Sequence, residues 1–195
     1  MLKKISYRKD IDGLRALSVL AVLFYHLEIF DISGGFLGVD IFFVISGYII
    51  TKIVLIEYES KSFQISKFYW RRARRIYPAL IITLIFTTLI SIFFFFPSEF
   101  EYLSKTNLSI LFFFSNFFFW KNTDYFNEIT SQSPLLHAWS LSVEEQFYLF
   151  FPIFVYLVFK INKKNVFFFL LIIITLLSLI SSSYLSGISQ DANFF

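Results

Sequence analysis

Five apolar runs divide the chain, at residues 14–30, 36–56, 78–96, 135–159 and 166–183. Each is close to the ~20 residues with which an α-helix crosses a hydrocarbon core of about 30 Å. A further segment, residues 102–120, has a shorter apolar centre, "LSILFFFSNFFFW", interrupted by Ser115 and Asn116. It either crosses the membrane or turns back as a re-entrant or interfacial helix. The polar stretches between runs differ in kind. "DISGG" is a short turn, whereas residues 57–77 are polar and basic and contain "FYWRRARRIYP". The third run opens at Pro78, whose missing N–H suits a first helical turn. The pattern predicts an all-α, polytopic transmembrane helix bundle of about five spans.

Composition agrees with the pattern. Of 195 residues, 57% are hydrophobic and 23% aromatic, against about 45–50% apolar in soluble domains. The 30 phenylalanines read as lipid-facing bulk. The absence of cysteine excludes disulfides and thiolate metal sites. The basic residues Lys3, Lys4, Arg8, Lys9 and Arg15 precede the first run without a small-x-small cleavage site, so the N-terminus reads as retained. Basic residues favour the cytoplasmic side. That rule places the N-terminus, "RRARR" and "KINKKN" inside. It places the net acidic residues 97–134 outside if residues 102–120 do not cross, and that arrangement is favoured.

The candidate chemistry sits within or beside the runs. Arg15 and His26 are eleven residues apart, which on a helix is three turns plus about 20°, or about 16 Å along one face. Titratable groups in spans are costly and face the bundle interior or a water-filled cavity. Asp40 opens the second run, where a carboxylate could orient the His26 imidazole for acid–base work. Gly34, Gly35 and Gly38 suit close backbone approach, and Ser46 and Gly47 suit helix packing. Arg71, Arg72, Arg74 and Arg75 fall within five residues. They read as a cytoplasmic anchor, an anionic-lipid contact or a phosphate clamp, since arginine forks match phosphate oxygens. His137, Ser140, Glu144 and Tyr148 form one helical stripe that belongs against a cavity. Glu145 and Gln146 lie off it and suit contacts with neighbouring helices. No phosphate-binding glycine loop, dinucleotide fingerprint, metal spacing or nucleophile elbow occurs, and nothing points to nucleic acid. On these residues alone the alternatives to an enzyme are a transporter or channel with a polar intramembrane cavity, or an inactive truncated fragment.

Three ordered segments carry a resemblance. "DIDGLRALSVLAVLFYHL…GGFLGVDIFFVISGYIIT", "FYWRRARRIYPAL" and "LLHAWSLSVEEQFYLFFP" resemble the N-terminal half of the acyltransferase-3 family of membrane O-acyltransferases. The resemblance implies a bacterial inner-membrane enzyme with a cytoplasmic N-terminus. Such an enzyme moves an acyl group, often acetyl, from acyl-CoA to a hydroxyl of a surface glycan such as lipopolysaccharide O-antigen. It implies that His26 is the catalytic histidine, paired with Arg15. It implies that the RxxR motif, Arg71–Arg74 or Arg72–Arg75, engages the acyl-CoA donor. The His-x-Trp-Ser-Leu-x-x-Glu element falls on His137, Trp139, Ser140, Leu141 and Glu144. Family domains continue with further spans, and many carry an extracytoplasmic SGNH domain. The chain is therefore expected to be a partial domain that needs C-terminal helices, with acyl-CoA, a glycan acceptor and the bilayer as partners.

Overall fold

The computed structural model describes residues 8–27, 34–122, 133–160 and 164–186. Among these every regular element is helical: α1 (Lys9–His26), α2 (Leu37–Glu59), α3 (Ile65–Phe94), α4 (Pro97–Leu111), α5 (Ser115–Asn122), α6 (Ala138–Lys160) and α7 (Lys164–Ser186). Four of them, α2, α3, α6 and α7, are long and apolar enough to cross a membrane. The fold is an all-helical membrane bundle. α1, the first expected span, carries Lys9, Asp10, Asp12 and Arg15 in its 18 residues, and so does not stand with those four on composition. The end of that expected span, residues 28–30, lies outside the described residues.

Two expectations are corrected. α3 does not start at Pro78. It begins at Ile65, runs through the whole arginine segment and carries Pro78 in its interior. A proline inside a membrane helix is tolerated where neighbouring groups satisfy the freed backbone. His137 does not lie on a helix with Ser140, Glu144 and Tyr148. It sits in a turn before α6, built by tight i→i+3 bonds from Leu136 N to Ser133 O (3.1 Å) and from Ala138 N to Leu135 O (3.0 Å). Pro134, which has no N–H to donate, lies inside that turn.

The helices group into two compact units. The first holds α1, α2 and Phe151–Leu157 of α6. Its α1–α2 contact is made of small residues. Ser18 is 2% exposed and folds its hydroxyl back onto Leu14 O at 2.8 Å. A Cβ placed on Gly38 would run into Ser18 O and come within 2.9 Å of Val22 Cγ2; one on Gly35 would run into Ala21 O and lie 2.6 Å from Tyr25 Cβ. Gly35 and Gly38 therefore let two backbones meet, as small residues do in membrane helix pairs. Gly34 meets nothing closer than Leu37, at 4.0 Å. At the far end of α2, Tyr58 and Phe63 pack on Tyr156 with ring centroids 6.1 and 5.5 Å apart.

The second unit holds α3, α4, α5, α7 and the rest of α6. Leu80 and Leu84 of α3 and Ile110 of α4 form its buried cluster. Asn107 Nδ2 joins α4 to α3 by donating to Thr88 Oγ1 at 2.8 Å. The uncertain segment 102–120 is not one helix. It breaks at residues 112–114, where Phe113 takes a left-handed backbone, φ 57°. A bare helix break inside a membrane leaves backbone groups without water. Here α6 supplies the partners. Gln146 Nε2 donates to Phe113 O (2.8 Å) and to Asn116 Oδ1 (2.9 Å). Ser142 Oγ accepts from Ser115 N (3.2 Å) and pairs with Ser115 Oγ (2.6 Å). Ser115 and Ser142 are fully buried.

Candidate active site

In the first unit, Arg15 and His26 lie on one helix, as their spacing requires. Arg15 is half-buried, with Nη1 3.8 Å from Asp12 Oδ1 and its guanidinium 5.6 Å over the Phe42 ring of α2. Phe42 follows Gly38 by one turn, so the glycine contact that closes α1 on α2 also seats Arg15. His26 is the last residue of α1. It is exposed and meets the edge of Tyr25 at 5.1 Å. Asp40 is exposed in the first turn of α2, and no described contact joins it to His26.

In the second unit, Ser140 is half-buried and donates to His137 O at 3.1 Å, while the His137 side chain is exposed. Glu144 accepts a hydrogen bond from the Tyr148 hydroxyl, one turn on. Tyr148 is 4% exposed, and its ring carries the Arg72 guanidinium at 3.6 Å. The four arginines therefore separate. Arg71, Arg74 and Arg75 are exposed, whereas Arg72 is drawn in over Tyr148. Arg72 is enclosed where its three neighbours are exposed, and enclosing an unneutralised cation is costly. Stacking on an aromatic face offsets part of that cost.

A cavity of about 570 Å³ opens beside this array. Its wall includes Tyr69, Arg72, Glu145, Gln146, Tyr148 and the phenylalanines of the α4–α5 break. A smaller cavity of about 340 Å³ lies along Arg75, Leu80 and Leu84. Glu145 is the residue that sequence reasoning undervalued. It sits off the stripe of Ser140, Glu144 and Tyr148, yet it lines the larger cavity with Arg72. The adjacent acidic pair in "VEEQ" was the available signal. No group of His, Asp and Glu suited to a metal ion occurs among the described residues. Outside the spans, Arg8 Nε donates to Asp10 Oδ1 at 2.8 Å. This pair holds the Asp10 carboxyl down at about 2.

The model of a family described as an acyltransferase domain, Acyl_transf_3, matches residues 8–193. Peptidoglycan O-acetyltransferase OatA of Listeria monocytogenes is 45% identical over 161 residues, covering 82% of this chain and 26% of that protein. O-acetyltransferase OatA of Staphylococcus aureus (strain NCTC 8325 / PS 47) is 39% identical over 163 residues, covering 82% of this chain and 27% of that protein. The chain thus spans about a quarter of the length of these relatives. No solved structure matches it. With its apolar helices and a family match along almost its entire length, the chain is a multi-pass membrane protein and belongs to the acyltransferase-3 family.

Proposed function

We propose that this chain forms part of a bacterial inner-membrane O-acetyltransferase, its N-terminus cytoplasmic, that moves acetyl from acetyl-CoA to a hydroxyl of a cell-envelope glycan. The observation that carries the reading is the ionisable equipment of α1, α3 and α6. Arg72 is enclosed over Tyr148 beside Glu145, and Arg15 and His26 share one helix. Groups of this kind are retained in membrane spans for function. The name of the Listeria relative favours peptidoglycan as acceptor over the lipopolysaccharide O-antigen that the sequence suggested.

In this reading the exposed Arg71, Arg74 and Arg75 receive the CoA phosphates as charge-assisted forks. His26 accepts the proton of the acceptor hydroxyl as its oxygen attacks the thioester carbonyl. The C–S bond breaks, the CoA thiolate leaves, and the histidine returns the proton to it. Arg15, about 16 Å from His26 along α1, is too far to touch that carbonyl and instead offers its guanidinium to an anionic part of the donor. Glu144, held by the Tyr148 hydroxyl, keeps a carboxylate beside the arginine array.

The test is transfer of labelled acetyl from acetyl-CoA to envelope glycan in membranes that express the protein. Label is expected to reach glycan and to be lost in His26→Ala. Undiminished labelling in His26→Ala would remove that residue from the chemistry, and flux of a solute without acetyl-CoA consumption would replace the enzyme with a transporter.

A further inference from the structure

α1 and α2 pack antiparallel, and their contacts give a register. Gly35 faces Ala21, Gly38 faces Ser18, and the Phe42 ring lies under Arg15. Tyr48 follows, within electrostatic reach of Arg8. Lys52, one turn further, is therefore level with the start of α1, where Arg8, Lys9, Asp10 and Asp12 gather. Charged residues gathered at a helix end mark the depth at which a membrane helix leaves hydrocarbon. Lys52 is thus a lysine on a helix apolar enough to cross the membrane, set at headgroup depth. An ionisable residue on such a helix calls for a named partner.

The arginines of this helix pair have theirs. Arg8 Nε donates to Asp10 Oδ1 at 2.8 Å, and Arg15 Nη1 lies 3.8 Å from Asp12 Oδ1. Lys52 has no acidic partner among the described residues. Glu57 lies on another face of α2, and Glu59 about 10 Å further along it. Lys52 Nζ instead sits 5.7 Å over the Tyr48 ring, within the range of a cation–π contact but leaving the charge unneutralised.

The face that carries Lys52 says what the partner is. Ile41, Val44, Tyr48 and Lys52 follow i, i+3, i+7, i+11 and form one stripe of α2. Ile41, Val44 and Tyr48 are 47%, 73% and 46% exposed, and Lys52 is half-buried. Along the stripe two aliphatic residues give way to a tyrosine and then a lysine. Hydrocarbon, interface and headgroup follow one another in that order across a bilayer leaflet. Around the lysine, Arg8, Lys9 and Arg15 outnumber Asp10 and Asp12, so the surroundings favour an anion. We propose that Lys52 and Tyr48 form a site for the phosphate of an anionic phospholipid, at the open edge of the α1–α2 pair. The ammonium donates to the phosphate oxygens, the Tyr48 ring supports it from below, and the lipid chains run along Val44 and Ile41. A zwitterionic lipid brings its own cation to the same place and is the weaker ligand.

The probes are phosphatidylglycerol and phosphatidylcholine, each titrated into the purified full-length protein in detergent, with bound lipid counted by native mass spectrometry. Phosphatidylglycerol is expected to bind the more tightly. Lys52→Met is expected to weaken it about fivefold, the worth of one basic residue at an anionic surface, and to leave phosphatidylcholine within about twofold. Lys52→Arg keeps the charge and is expected to hold the parent's affinity. Lys105→Met is the control, because Lys105 is an exposed cation of α4 already paired with Glu101; it is expected to change neither lipid. Glycerol 3-phosphate, which has the phosphate and no chains, is expected to leave bound phosphatidylglycerol in place at equal concentration. Thermal midpoints establish that each variant is folded. Phosphatidylglycerol affinity unchanged in folded Lys52→Met would overturn the site, and a lower midpoint in that variant with no change in lipid binding would give Lys52 to a carboxylate of the protein instead. An equal loss in Lys105→Met would replace the site with general surface charge. Displacement of the lipid by glycerol 3-phosphate would overturn it in favour of a soluble phosphate.

Discussion

Gly38→Ala adds one methyl group, and the geometry of the α1–α2 contact fixes its sign. The new carbon would run into Ser18 O and lie 2.9 Å from Val22 Cγ2, where carbon atoms at rest stand about 3.5–4.0 Å apart. The overlap is therefore about 0.6–1.1 Å, and one of the two obstacles is backbone that cannot rotate away. Overpacking of this kind costs about 1–3 kcal/mol. Alanine recovers at most about 1 kcal/mol of helix propensity. The net loss is about 1–2 kcal/mol, which at 2–4 °C per kcal/mol for a chain of this size lowers the thermal midpoint by roughly 2–8 °C. Gly13→Ala supplies the internal control. It lies in the neighbouring helix, and a Cβ there meets nothing within 4 Å. The same substitution should therefore stabilise by about 0.5–1 kcal/mol. The assay is the thermal unfolding midpoint of the two variants and the parent in one detergent. Because Phe42 lies one turn beyond Gly38 and carries Arg15, acetyl transfer should fall in Gly38→Ala and hold in Gly13→Ala. If the two alanines shift the midpoint in the same direction, the close-approach account of this helix pair is wrong.

Gln146→Leu removes the donor to both Phe113 O and Asn116 Oδ1 and is expected to cost about 1–3 kcal/mol, seen as a lower midpoint and faster proteolysis near residues 112–116. Ser142→Ala strips Ser115 of its hydroxyl partner and of the acceptor for its backbone N–H; a loss of about 1 kcal/mol is expected by the same thermal measurement. Asp10 should titrate near 2, because Arg8 favours its ionised form. A carboxyl lowered in the folded state contributes its stabilisation above its unfolded value of about 3.9 and loses it as pH falls through the folded one. Arg8→Gln should return the Asp10 midpoint, followed by NMR, to about 4.

The sequence exposed what depends on period and composition. Spans announced themselves by length, and Arg15 and His26 shared a face because a helix turns about 100° per residue. Gly35 and Gly38 were legible because only a residue without Cβ fits where backbones meet. What stayed hidden was set by tertiary contact. Pro78 looked like a start signal, but the arginine-rich turns before it are good helix formers, and the helix continues through the proline. The break at residues 112–114 has no glycine or proline to mark it. It exists because Gln146 and Ser142, more than 25 residues later, satisfy the backbone it frees. Which of four arginines turns inward could not be read from their spacing, since the choice belongs to Tyr148.

Polar residues on a membrane helix have two uses that composition cannot separate, and the hydrogen-bond ledger of α6 separates them. The Ser142 hydroxyl and Gln146 Nε2 are hydrogen-bonded inside the protein, on Ser115, Phe113 and Asn116; they complete a broken helix. Glu145 lies between them in sequence, yet one oxygen is enclosed without a partner. Little more than one turn of the helix thus holds three polar side chains, and Glu145, the costliest of them to bury, leaves an atom unpaired. An enclosed, unpaired oxygen costs stability in the folded chain. Arg72 is enclosed in the same way, its Nε unpaired and its guanidinium stacked on Tyr148, so the cost of burying charge in this part of the protein is concentrated in one facing pair.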